Sequence, residues 1–259
     1  MKNKTFVYTD ELNDEFSGIK RNTITIDDNY KYIRHNPLWK VCEFFVYRLF
    51  ILPFAYIYIK LKFHHKVINL QAIRDYKKSN YFVYCNHTML AGDAFIPSII
   101  SHPHKSYTIV HPDNISVKAA KPIIEMCGAI PTPSTISATK NFLKAIEYHS
   151  HKQPIVIFPE AHIWPYYTGI RPFKSVSFKY PVKFNLPIFV LTNTFHKKKF
   201  SKTPQVITYI DGPFFPNTKL PPREQANNLR DIAYTTMCNR AKSNTYCVHT
   251  YKQGVPQHD

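Results

Sequence analysis

Residues 81–100 read YFVYCNHTMLAGDAFIPSII. The first five are apolar, aromatic or β-branched and predict a strand buried on both faces, 81–85. The run breaks at Asn86-His87, and a second apolar segment with helical spacing, 94–101, begins just after Asp93. A buried strand that turns through a polar loop into a helix is half of a βαβ unit. The fold reading starts from this unit.

The same alternation continues on both sides. Short apolar runs at 67–70, 106–110, 154–158, 187–192 and 205–210 read as further strands. Amphipathic stretches near 116–127, 139–150 and 175–184 read as helices between them. The pattern predicts an α/β fold with a mixed, largely parallel sheet flanked by helices. A last helix is expected over 222–242, with Pro222 in its first turn and Ala226, Leu229, Ile232, Ala233 and Met237 on one apolar face. Residues 1–36 are polar and mixed in charge and read as a poorly specified arm.

Residues 37–63, PLWKVCEFFVYRLFILPFAYIYIKLKF, are the most apolar part of the chain. Glu43, Arg48 and Pro53 interrupt them, so the insertion free energy of a spanning helix sums to about zero on a residue scale. A helix lying in a membrane interface fits better, with aromatic Trp39, Tyr47, Tyr56 and Tyr58 and the basic collar Lys60, Lys62, His64, His65 and Lys66. A bilayer span and a buried core helix are the alternatives. The expected organisation is an arm over 1–36, a membrane-associated helical segment over 37–66 and the main domain over 67–259.

Composition narrows the classes of function. The 259 residues carry 34 Lys and Arg against 17 Asp and Glu, a formal net charge of +17, which favours polyanionic partners. An anionic phospholipid surface fits this charge. Nucleic acid is not expected as a partner, because the basic residues are dispersed and no nucleic-acid-binding motif is evident. The five cysteines form no C-x-x-C pair; Cys42, Cys85 and Cys127 read as small core residues in a reducing compartment. The pairs His102/His104 and His149/His151 read as exposed polar positions, and no metal site is expected.

Three loops carry candidate chemistry. In the first, His87 at a strand end with Asp93 six residues on is the pattern of a general base and the carboxylate that fixes its tautomer. The same two residues would also serve as a loop histidine and a helix cap. The second, PIVIFPEAHIWPYYTGIRPFKSVSF over 154–178, ends an apolar strand in Glu160 and continues to His162, Arg171 and Lys174. Glu160 with the two cations reads either as a headgroup site or as an internal ion pair. The third, MCGAIPTPST over 126–135, is by itself a turn signal.

In order, Asn86-His87 with Asp93, Gly128-Ala129-Ile130, Phe158-Pro159-Glu160 and the strand opening Pro187-Ile188-Phe189-Val190 resemble the motifs of the glycerophospholipid acyltransferases, of the 1-acylglycerol-3-phosphate type. The resemblance covers residues 40–240. It implies acyl transfer from a thioester, acyl-CoA or acyl carrier protein, to the free hydroxyl of a lysophospholipid, with no cofactor. It further implies catalytic roles for His87 and Asp93, and substrate binding by Gly128, Glu160, His162, Arg171 and Lys174. The basic charge and the apolar segment 37–63 lead to the expectation of a membrane-associated protein, facing the cytoplasm.

Three departures stand out. The family usually has four residues between the His and the Asp; here there are five, and Gly92 occupies the usual Asp position. Ala161-His162-Ile163 stands where Gly-Thr-Arg is usual, and GAIPTPST lacks the family's second arginine. The expectation is that the 86–93 loop bulges to keep the pair, and that Arg171 and Lys174 replace the missing phosphate ligands.

Overall fold

The computed structural model describes residues 3–18, 24–199 and 201–254. Its strands are β1 (Thr5–Tyr8), β2 (Lys66–Ile68), β3 (Phe82–Cys85), β4 (Tyr107–Val110), β5 (Ala129–Pro131), β6 (Ile155–Ile157), β7 (Ile188–His196), β8 (Gln205–Phe214) and β9 (Thr250–Gln253). The α-helices are α1 (Pro37–Phe45), α2 (Leu52–Phe63), α3 (Gln71–Asp75), α4 (Gly92–Ser101), α5 (Lys121–Met126), α6 (Ile136–Ser150), α7 (Lys179–Phe184) and α8 (Pro222–Ala241).

Seven strands form one sheet in the order β2-β8-β7-β3-β6-β4-β5. β7, β3, β6, β4 and β5 are mutually parallel, while β8 runs antiparallel to β7 and β2 follows β8. The expected mixed, largely parallel sheet is therefore present. β3 is central, so both its faces are buried and its alternation sorts residues between two cores. Phe82 and Tyr84 face a layer that includes Phe142, Phe178 and Leu229, from α6, the 176–178 turn and α8. Val83 and Cys85 face Ile59, Phe63, Ile96 and Ile100, from α2 and α4.

Residues read as a loose arm are docked. β1 pairs in parallel with β9, and Phe16 packs between Phe6 and Trp164, with ring centres 5.1 and 5.2 Å away. Ile26 is buried, and Arg34 and Tyr30 both bond Glu125. Apolar residues spaced singly among charges hid this docking from a periodicity reading.

Residues 37–63 form one continuous helical run, long and apolar enough to cross a membrane by length and composition. A wide π turn, Val46–Ile51, joins α1 to α2. It sits where the Pro53 ring presses on the turn before it, and a wider turn relieves that clash. Tyr47, Leu52, Ala55, Ile59 and Phe63 are buried against the domain. Leu38, Phe44, Leu49, Phe50, Phe54, Ile57 and Leu61 are exposed. The charges that interrupt the run point to the domain: Glu43 pairs with Lys105, and Arg48 donates to the Pro103 carbonyl. Cys42 lies exposed on this helix rather than in the core, and His149, read as exposed, is buried in a stack on Tyr107 with ring centres 3.8 Å apart.

Candidate active site

The site grows from the parity of β3. Tyr81, Val83 and Cys85 face the α4 side, so His87, two residues on, emerges on that side as well. α4 begins at Gly92 and carries Asp93 in its first turn, where the helix dipole favours a carboxylate. The residue extra to the family spacing is absorbed in the turn at Leu90-Ala91, where the Leu90 side chain is exposed. The Asp93 amide then closes back on the Met89 carbonyl at 3.1 Å.

This loop brings His87 Nδ1 to 2.9 Å from Asp93 Oδ2. The Met89 amide donates to the same oxygen at 2.8 Å. Asp93 is buried, and burial pushes its carboxyl above the usual aspartate range while the His87 contact pulls it back. With Nδ1–H donated to Asp93, Nε2 carries the free lone pair. It has no protein partner among the described residues. The ring rests on Phe158, centroids 4.7 Å apart, and the side chain keeps 22% exposure. A half-open imidazole with an oriented lone pair can take a proton from a hydroxyl.

Behind the pair runs a buried row of neutral groups. Asn86 Nδ2 donates to the Asn193 carbonyl at 3.0 Å and its Oδ1 accepts from the Asn193 amide at 2.8 Å, prolonging the β3–β7 ladder by one side chain. Asn193 Nδ2 lies 3.5 Å from Asp93 Oδ1, and Thr208 Oγ1 donates to Asn193 Oδ1 at 2.6 Å. His65 Nε2 is 2.8 Å from Thr208 Oγ1, and burial holds its pKa down at about 4. Asn193 and Thr208 were missed in the sequence, and His65, read there as part of the basic collar, is buried instead. The signal was Thr192-Asn193-Thr194, three polar residues inside an otherwise buried strand.

Glu160 and Arg171 are corrections to the sequence reading. Glu160 is buried, accepts from the His87 amide at 2.6 Å through Oε2, and accepts from the Arg171 amide at 2.7 Å through Oε1. Burial raises its pKa and Arg171 opposes the rise. Arg171 is 1% exposed; its guanidinium donates to the carbonyls of Glu11, Glu160 and His162 and stacks over Trp164 at 4.9 Å. It is not available to clasp a phosphate here. The two residues bind the 158–171 loop to the His87 loop through main-chain contacts, the Glu160 carboxylate accepting from amides and the Arg171 guanidinium donating to carbonyls, with no carboxylate–guanidinium ion pair between them.

Gly128 is a further correction. It sits at the amino end of β5, level by register with Phe82, whereas His87 lies beyond the carboxyl end of β3. Five residues of strand separate those levels, about 16 Å. Its φ of +93°, and a Cβ that would meet the Ser106 carbonyl at 2.6 Å, make it a packing glycine. His162 and Lys174 remain accessible. His162 is 38% exposed with Nδ1 3.3 Å from Glu15 Oε2; Lys174 is exposed without an ion-pair partner among the described residues. Ala161, where the family usually has Gly, holds φ at +62°.

Residues 64–192 match the family model described as Acyltransferase. The chain belongs to the acyltransferase family. Among solved structures, the 1-acyl-sn-glycerophosphate (LPA) acyltransferase PlsC from Thermotoga maritima matches with a TM-score of 0.57 at 18% identity, over 83% of this chain and 86% of that one. That likeness is one of fold. No curated protein matches the sequence. Within this acyltransferase the family segment holds His87, Asp93, Glu160 and Arg171, and ends on the strand that carries Asn193.

Proposed function

We propose that the protein transfers an acyl group from a thioester to the free hydroxyl of 1-acylglycerol-3-phosphate, giving phosphatidic acid. The 2.9 Å contact of His87 Nδ1 with buried Asp93 carries this reading, because it leaves Nε2 as the base. His87 Nε2 takes the hydroxyl proton as the oxygen attacks the thioester carbonyl carbon. The tetrahedral adduct then expels sulfur; the C–S bond breaks and the imidazolium returns its proton to the thiolate. Asp93 fixes the tautomer and stabilises the imidazolium between those steps. Glu160 and Arg171 hold the loop under the base, and Lys174 is the exposed cation of the 158–174 loop for a headgroup.

The bare apolar face of Pro37–Phe63 supports docking on a membrane. Its opposite face lies along the domain, so the helix rests in one leaflet instead of crossing. A second acceptor reading has its own observation: with Arg171 buried, no free arginine among the described residues of the three motif loops offers a bidentate phosphate contact, which favours a lysolipid with a different headgroup. The deciding assay offers acyl-CoA and acyl carrier protein donors to phosphorylated and neutral lysolipids. The first reading expects at least a tenfold preference for the phosphorylated acceptor and a higher acceptor KM in Lys174→Ala. Equal use of both lipids selects the second, and no transfer to any acceptor sinks both.

A further inference from the structure

A groove of about 800 Å³ lies between α2, α4 and the β2–α3 segment; none of the residues lining it belongs to the His87 loop, and only His65 of its lining belongs to the row behind Asp93. Its volume is that of a small-molecule site. The floor is apolar, formed by Leu52, Ile59, Leu70, Ile99 and Ile100. The rim is basic: Arg48, Lys60, Lys66, Arg74 and His102. No carboxylate of the described residues lines it. Among the described residues none of these five makes an ion pair, and the neighbouring Asp75 is bonded to Gln71 instead. The cations crowd one another. His102 is held below the usual histidine pKa by burial first, then by Arg48, His104 and Arg74. Unpaired like charges around an apolar floor are the complement of an amphiphilic anion.

The mouth of the groove identifies the source of that anion. Tyr56 and Pro53 line it and are both exposed on the bare side of the helix. The groove is thus continuous with the surface that meets the bilayer. We propose that it seats one anionic phospholipid drawn sideways from the membrane, its phosphate on Arg74, Arg48 and His102 and part of a chain on the Ile99 floor. The inference rests on the reading of Pro37–Phe63 as membrane-docked. It adds to the reaction a lipid site that is neither donor nor acceptor.

Native mass spectrometry of the full chain in detergent tests it, with phosphatidylglycerol and phosphatidylcholine of equal chain length as probes. The parent should retain one phosphatidylglycerol at least tenfold more tightly than phosphatidylcholine. Arg74→Gln should lose that preference, each basic contact at a membrane being worth several-fold. Ile99→Trp, which fills the floor without changing charge, should weaken both lipids. Lys140→Gln with Lys144→Gln, removing two exposed cations from α6, should stay within twofold of the parent. Inorganic phosphate at about 10 mM should not displace the lipid, since it lacks a chain for the floor. A preference that survives in Arg74→Gln, an equal loss in the α6 variant, or displacement by phosphate overturns the seat. Acyl transfer by Arg74→Gln to detergent-dispersed acceptor should remain within twofold, so an inactive parent counts against the reaction alone.

Discussion

The His87 loop and the Pro37–Phe63 helix invert the ordinary distribution of residues in opposite senses. Around the loop, ionisable groups are buried: Asp93, Glu160 and Arg171 are each at most 3% exposed. Along the helix, apolar groups are exposed: Leu38, Phe50 and Leu61 are 68 to 71% exposed. Buried charge and bare hydrocarbon both cost stability in water, so each needs a return elsewhere. In the loop the return is a fixed tautomer beside a half-open ring. On the helix, under the docking proposed above, it is a second solvent, lipid. The difference teaches that chemistry and location are built from separate physical terms here and can be broken separately.

The largest expected effect removes the chemistry alone. His87→Ala should lower acyl transfer by at least about 10²-fold while circular dichroism and vesicle association stay at parent values. Asp93→Asn should follow it, because an amide cannot hold Nδ1–H in the same way and the tautomer is lost. Full turnover in a folded His87→Ala would falsify the base assignment. Next comes the converse, location without chemistry. Phe50→Glu with Leu61→Glu should cut partition to liposomes by about 10²-fold, from two large side chains at roughly 1.5 kcal/mol or more each. Turnover on detergent-dispersed substrate should not move; if it falls equally, the helix serves the site directly.

A smaller effect probes the buried histidines. His65 and His149 sit at about 4 in the fold against about 6.5 when free, in both cases chiefly through burial. Below 6.5 the unfolded chain binds protons that the fold refuses. Their contribution is therefore complete above pH 6.5 and is lost as pH falls toward 4. Between pH 7 and pH 5 each should cost about 2 kcal/mol of stability. Asp93 and Glu160, raised in the fold, act with the opposite sign as they protonate. Urea midpoints at the two pH values should thus show His65→Gln losing about 2 kcal/mol less than the parent. An identical loss would place His65 in contact with solvent. The smallest effect is at Ala161, whose left-handed φ favours glycine. Ala161→Gly should gain about 0.5 to 1 kcal/mol, or roughly 1 to 4 °C in Tm. A loss there would mean that the Ala161 methyl packs.

Much of this was legible in the sequence where one signal dominates. The strand 81–85 is apolar at every position, and α4 follows at helical spacing; both stand within a residue or two of expectation. The His87–Asp93 contact was readable as a pair but not as a distance, because five intervening residues fix no geometry until the loop turns at Leu90-Ala91. Arg171 reads in the sequence as a headgroup ligand or a partner of Glu160, and its burial was not legible there. An arginine in a basic chain reads as solvated, and only the fold shows three carbonyls and an indole gathered around it. β5 was missed since Ala129–Pro131 is too short for alternation to register, and β1 and β9 since each is held by the other across the whole chain.

The row of neutral groups behind Asp93 has a direction. Thr208 gives its one hydroxyl proton to Asn193, so it must accept from the Nε2–H of His65. Asn193 turns its amide toward Asp93, and His87 donates from the other side. Every proton along the line points at the same carboxylate. That anion is thus held by aligned dipoles more than by any fixed counter-ion. Dissolved ions screen charges that face water and leave a buried dipole array almost untouched. In the proposed docking on an acidic bilayer, the part of the grip made by exposed lysines and arginines is of the first kind, and the part made by the apolar face of Pro37–Phe63 is not. Added salt should therefore loosen the electrostatic part of that attachment while leaving the His87–Asp93 pair armed, so that ionic strength acts on address and not on reactivity.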